Sequence, residues 1–358
     1  MSNTEFGQKE VPNWDVDDAE PGNLAFEDGV LSIRELYSRL ANPPEDGTFS
    51  HGSDTDATYE LSFSPDGSYL ALGNYETPFL YDLSDFGTEP EEIVDDFSWI
   101  RAVEFFVADN QYLGLGTTAG NAYIYSTSDF EDPTVIDTDY GTINSIALSP
   151  NGNYLVLGSD HDSDDGQVHV YDTSEFSSST LSPMNSIDTG NFSSTQNVTF
   201  SINGEYLITD GGSGGGGEIY IYETDTWTNE HTLEDPGDQP RSLSLSPSGE
   251  RLAVSSEDDN VYIYDISSEN VTDWGEIQTL DDGSDDFGSR GVNWSLDGEY
   301  LAHSIGDTIY IYNTSDWSSP LHTLEDPDSS VRSLAFSPNG DYLAVSSNQG
   351  DSNIYIYE

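Results

Sequence analysis

The sequence has no cysteine and a single lysine, Lys9, among its 358 residues. Without thiols there is no disulfide, no thiolate nucleophile and no zinc–thiolate site. Basic residues number 8 against 68 acidic ones, a formal net charge of −60. Phosphate contacts draw on Lys and Arg, so direct nucleic-acid binding is disfavoured. No apolar run approaches membrane-spanning length, and Met1-Ser2-Asn3-Thr4-Glu5 opens neither a signal peptide nor a twin-arginine signal. The expectation is a chain that is cytoplasmic at synthesis and does not insert into a membrane. Incorporation into a virion assembled inside the cell needs no export signal and fits the same features.

The surplus of acid is itself informative. At ordinary ionic strength a charge of this size repels itself, whereas in 1 M salt the screening length falls to about 3 Å and surface carboxylates hold water and cations instead. The composition points to a salt-loving archaeal or viral source, with cations associated non-specifically with the acidic surface. A mimic of nucleic acid would gather its charge on one face, but here acids fall in every turn.

Against this background one strand-turn-strand phrase recurs seven times. The clearest copies are LSFSPDGSYLALG from Leu61, IALSPNGNYLVLG from Ile146, LSLSPSGERLAVS from Leu243 and LAFSPNGDYLAVS from Leu334, with weaker ones starting at Val103, Val198 and Val292. Copies begin roughly 42 to 52 residues apart, the period of a propeller blade. Within each copy an alternating apolar run is a strand, the Pro-Asn-Gly or Pro-Asp-Gly corner reverses the chain, and a second strand returns. A third strand ends in tyrosine every time, as in Tyr123-Ile124-Tyr125 and Tyr310-Ile311-Tyr312. A short fourth follows, as in His231-Thr232-Leu233 and His322-Thr323-Leu324. Seven such blades close a ring, giving an all-β, seven-bladed β-propeller over residues 48–358. The last copy ends at Glu358 after its third strand, so Thr48-Phe49-Ser50 is expected to supply the missing outer strand and close the ring.

Ahead of the propeller, residues 1–30 read as an acidic arm with little apolar periodicity. Residues 31–47 read as a short amphipathic helix and linker. Leu31, Ile33, Leu36, Tyr37 and Leu40 share one side, Ser32 caps the start and Pro43-Pro44 ends it. Arg34 and Arg39 lie on this helix, which serves either as a plug on its own propeller or as a docking arm for a neighbouring subunit.

The repeats resemble the WD-repeat propellers and related bacterial and archaeal propellers, lactonase-like members included, whose blades carry a similar Ser-Pro-Asp-Gly corner. The closing Trp-Asp pair of WD repeats has its counterpart in Tyr81-Asp82, Tyr171-Asp172 and Tyr264-Asp265, while other copies end Tyr125-Ser126, Tyr222-Glu223, Tyr312-Asn313 and Tyr357-Glu358. The Gly-His pair of WD repeats is missing.

Half of the basic residues share one repeat position. Arg101, Arg241, Arg290 and Arg332 each stand two residues before the first apolar residue of the inner strand, and Tyr59, Asn144 and Gln196 hold that slot in the other copies. The resemblance implies that the inner strand lines a central channel and that this slot lies near one mouth, so four guanidinium groups converge on the axis. There they either grip a carboxylate, phosphate or acidic peptide or pair with an acid of the preceding loop, as Arg332 with Asp328.

Other motifs carry less. Asp160, Asp162 and Asp164 alternate as in a calcium loop, but Asp165 stands where glycine is required and no distal glutamate follows. The glycine run from Gly211 has no lysine after it, and the histidines make no triad or metal cluster. No cofactor is implied. The leading expectation is a non-catalytic propeller presenting binding faces to protein partners in a larger assembly, with a structural or host-contact role in a halophilic virion as one form of it. The alternative is a lactonase-like hydrolase acting on an anionic sugar lactone held by the arginines.

Overall fold

The computed structural model describes residues 30–32 and 60–357, apart from 75–77, 84–90, 94–97, 108–110, 129, 131, 139–140, 161–166, 176–180, 190–194, 212–216, 234–235, 282–287, 326, 328, 341 and 348–353. Its strands form seven four-stranded antiparallel sheets. In the second blade Ile100–Val107, Gln111–Thr117, Asn121–Ser126 and Thr134–Asp137 follow one another from the axis outwards. The inner strand of the first blade, Glu60–Phe63, packs on that of the second and on Val331–Phe336 of the seventh, so the sheets make a ring.

Blades are glued face to face by seven apolar layers. Ala71, Leu80 and Ile93 of the first blade meet Ile100, Val103, Phe105, Leu113 and Tyr125 of the second. Ile124, one residue from Tyr125, faces the other way, into the layer with the third blade. Successive side chains in a strand point to opposite faces, and both faces of a blade are covered. That is why the third strand reads Tyr-Ile-Tyr without a polar side.

The repeated corner has a specific chemistry. Ser64 Oγ donates to Asp66 Oδ1 (2.7 Å), the Ser68 amide donates to the same oxygen, and the Tyr69 amide donates to Ser64 Oγ. The same three-way arrangement returns at Ser149, Ser201 and Ser295 with Asn or Asp two residues on, and at Ser337 the contacts to Asn339 and from the Tyr342 amide recur. Glycine closes it at a positive φ, +71° at Gly67 and +72° at Gly298, where a Cβ would be strained. Blades are also tied by side chains that reach the next inner strand: Phe105 N donates to Ser62 Oγ, Trp294 N to Ser244 Oγ and Phe336 N to Asn293 Oδ1.

Ring closure follows the expected principle through a different segment. The outer strand of the seventh blade is Val30–Ser32, antiparallel to Ile354–Tyr357 with Val30 opposite Tyr357 and Ser32 opposite Tyr355. It is not Thr48-Phe49-Ser50, which lie outside the described residues. Leu31 and Ser32, assigned by periodicity to the start of a helix, are extended instead. The unpaired amides and carbonyls of Ile354–Tyr357 offer a ladder, and three residues are too few to show a strand period of their own. The rest of the expected helix, with Arg34 and Arg39, also lies outside the described residues.

Candidate functional site

The shared slot is a β-bulge. Pairing between the first two strands slips at Ile100/Ala102, Ile143/Ser145, Pro240/Ser242, Ser289/Val292 and Val331/Ser333. The residues left over are Arg101, Asn144, Arg241, Arg290 with Gly291, and Arg332. A bulge inserts a residue and re-aims its side chain, so the slot gains its orientation from the backbone rather than from its neighbours. The amide just after the bulge is picked up by a side chain of the second strand: Gly291 N donates to Ser304 Oγ and Ser333 N to Ser346 Oγ, each at 3.1 Å. In the fourth blade Asp210 takes that place, accepting from the amides of Gln196 and Asn197 (both 3.0 Å) and from Asn197 Nδ2 (2.9 Å). Sequence reasoning found the slot but not the bulge, whose signal is the Ser or Asp recurring at Asp210, Ser304 and Ser346.

Arg241 forms an ion pair with Glu257. Its partner comes from the turn leaving the second strand of its own blade, not from the preceding loop. Asn144 repeats the relation, donating from Nδ2 to Asp160 Oδ1 at 2.6 Å. Asp160 is thereby engaged with a strand residue, while Asp162 and Asp164 lie outside the described residues, as do Asp328 and Tyr59. Arg101, Arg332, Gln196 and Arg290 are half-buried. In the sixth blade the turn position equivalent to Glu257 is Gly306, and among the described residues Arg290 makes no hydrogen bond or ion pair. Burial and then the neighbouring Arg241 charge hold the Arg290 guanidinium below its usual range, with Glu257 pulling the other way.

Two of the histidines have structural work. His169 is fully buried between Ser159 Oγ on Nε2 and Ser186 Oγ on Nδ1, both at 3.1 Å, linking the second, third and fourth strands of its blade. His303 is buried and stacks on Tyr310 and Tyr312. Neither reaches a surface on which chemistry with a substrate would occur.

Three inward acids titrate abnormally. Burial pushes the Asp210 carboxyl up to about 7 against the pull of its Asn197 and Gln196 donors. Glu60 is pushed up to about 8 by burial and the Glu104 charge, offset by Ser333 Oγ at 3.3 Å across the junction of first and seventh blades. Glu104 is pushed up to about 8 by burial. Its tip is nevertheless exposed to solvent, which offsets part of that effect. Asp210, with no exposure, carries the most weight. A carboxyl with a raised folded-state pKa contributes stability that is complete below its unfolded value and lost as pH rises through the folded value. For these groups that window runs from the ordinary 3.8–4.5 to about 7–8. The thermal midpoint at fixed molar salt should therefore fall between about pH 5 and pH 8. Asp210→Asn should flatten the slope, and a midpoint that climbs over the same interval would contradict the assignment.

Residues 133–172, 227–265 and 318–358 match the model for the WD domain, G-beta repeat. The chain is 25% identical over 306 residues to Minichromosome loss protein 1 of Schizosaccharomyces pombe, covering 83% of this chain and 34% of that protein. It is 24% identical over 127 residues to WD repeat-containing protein 1 of Mus musculus, 35% of this chain and 20% of that one. It thus spans about a third or less of the curated relatives it matches. The β-propeller domain of Cps50 (Swd1) from Myceliophteria thermophila superposes with a TM-score of 0.69 at 16% identity, over 84% of this chain and 96% of that domain. The chain is a seven-bladed β-propeller with WD-repeat-like blades.

Proposed function

We propose that this propeller is a protein-interaction module of a larger assembly and that it meets its partner at the arginine-bearing mouth of the channel. The observation that carries the reading is the placing of half the basic residues of a −60 chain in bulged slots at one end of the inner strands. A cation held in place by backbone geometry in so acidic a chain is suited to a partner's anionic group. WD-repeat character supports an interaction role. The charge supports a salt-loving source, and a structural or host-contact component of a halophilic virion is the concrete form the reading takes. Arg34 and Arg39 are a second candidate contact.

Affinity purification at molar salt, followed by identification of co-purifying proteins, tests this. Partners should be retained in defined proportion to the propeller. Recovery of the chain alone, from cells that express it natively, would sink the reading.

A further inference from the structure

At the junction of the fifth and sixth blades the slot differs from the others described. The inner strands Pro240–Leu245 and Ser289–Trp294 pack against each other, and their bulges bring Arg241 and Arg290 to equivalent places on neighbouring blades. Glu257 pairs with Arg241, and its charge also reaches Arg290. Blade six has Gly306 where blade five has Glu257, so among the described residues one carboxylate is shared by two guanidinium groups, a local surplus of one positive charge. Buried donors around it are unused. Arg241 Nε, Ser255 Oγ and Ser289 Oγ are all buried and hydrogen-bond to nothing among the described residues. Ser255 lies across the ladder from Ser242, next to Arg241, and Ser289 precedes Arg290. Buried polar groups are normally satisfied, and two like charges side by side are costly unless an anion is shared.

We propose that this junction is the seat of a single carboxylate from the protein partner, an Asp or Glu side chain or a chain terminus, gripped by Arg290 together with Arg241. The inference rests on the interaction reading above and specifies its chemistry. Glu257 acts as an internal stand-in: it occupies Arg241 in the free protein and competes with the incoming group. A monoanion matches the surplus of one positive charge. A dianionic phosphate would exceed it, in a chain already at −60. The planar guanidinium fork accepts a carboxylate in two parallel bonds, a geometry lysine does not offer.

The probe is a fluorescently labelled, C-terminally amidated glycine-rich hexapeptide with one glutamate, titrated by anisotropy at molar salt beside the same peptide with glutamine or phosphoserine in place of the glutamate. The glutamate peptide should bind and the other two should bind more weakly. Arg290→Gln should weaken it roughly 10- to 100-fold, the worth of a charge-assisted hydrogen bond. Glu257→Gln should tighten it by removing the competitor, and Arg251→Gln, at the corner end of the second strand where its guanidinium donates to the Thr314 carbonyl, should leave it unchanged. Thermal melts of each variant confirm that it is folded. Equal binding by wild type, Arg290→Gln and Glu257→Gln, or a preference for the phosphoserine peptide, would overturn the proposal. If cellular partners co-purify equally with wild type and Arg290→Gln, the carboxylate seat falls while the interaction reading stands. If no partner co-purifies with the wild type, the interaction reading itself falls.

Discussion

A chain lacking residues 1–32 should aggregate or lose its cooperative thermal transition, while one lacking only residues 1–28 should melt as the full-length protein does. The difference is one three-residue strand. Val30–Ser32 is the fourth strand of the seventh blade, paired residue by residue with Ile354–Tyr357. Its loss bares a row of unpaired amides and carbonyls on an edge rich in tyrosine and isoleucine, a template for pairing between chains. It also removes the covalent link between the outer edge of the last blade and the inner strand of the first. What remains at that junction is side-chain packing, with Leu61, Phe63 and Leu72 against Ala344 and Ile354, and the hydrogen bond from Ser333 to Glu60. Size-exclusion chromatography and thermal melts of the two truncations decide the matter. If the 1–32 deletion melts normally, the ring is closed by a later segment, such as Thr48-Phe49-Ser50.

The second large effect is expected from salt. Transfer from molar salt to about 0.1 M lengthens the screening distance to about 10 Å, enough for carboxylates on adjacent turns to repel one another across the whole surface. Among the described residues the arginines that could neutralise them are five, four in the bulged slots and Arg251 donating to the Thr314 carbonyl, too few to offset the −60 charge. The native circular-dichroism spectrum should be lost, and recovered on returning to molar salt. A full cooperative transition retained at the lower salt would remove the halophilic reading and leave the interaction reading in place. The pH dependence argued from Asp210 acts in the same direction as charge repulsion, since protonation relieves both.

The blades were legible because each repeat states its own chemistry. The Ser-x-Asp-Gly corner is a hydrogen-bond device complete within six residues, so its contacts recur wherever the words recur. The third strand shows itself by tyrosine because Tyr125, Tyr171 and Tyr264 are almost wholly buried between blades. The outer strand expected at His322-Thr323-Leu324 is observed there, and the one at His231-Thr232-Leu233 extends back to Thr228. What escaped was non-local. Val30–Ser32 is defined only by a strand more than three hundred residues later, and Leu31 fell in with Leu36 and Leu40 in a helical pattern. Glu257 and Asp160 stand 16 residues from Arg241 and Asn144, adjacent only once the second strand has folded back. The bulge has no residue signature of its own. Its trace is the hydroxyl or carboxyl that the opposite strand supplies, and the Ser159–His169–Ser186 link is likewise visible only when three strands are side by side.

Hydrogen exchange of the propeller with and without its co-purified partner, at molar salt, bears most directly on the claim that the arginine-bearing mouth is the binding face. The turns at that end, residues 256–260 and 306–308, together with the bulged starts of the inner strands at Arg241 and Arg290, should gain protection in the complex. The corner turns at Gly204, Gly249 and Gly298, at the opposite end of the same strands, should exchange as in the free protein. Protection confined to those corners or to the outer strands, with the arginine-bearing turns unchanged, would contradict the account.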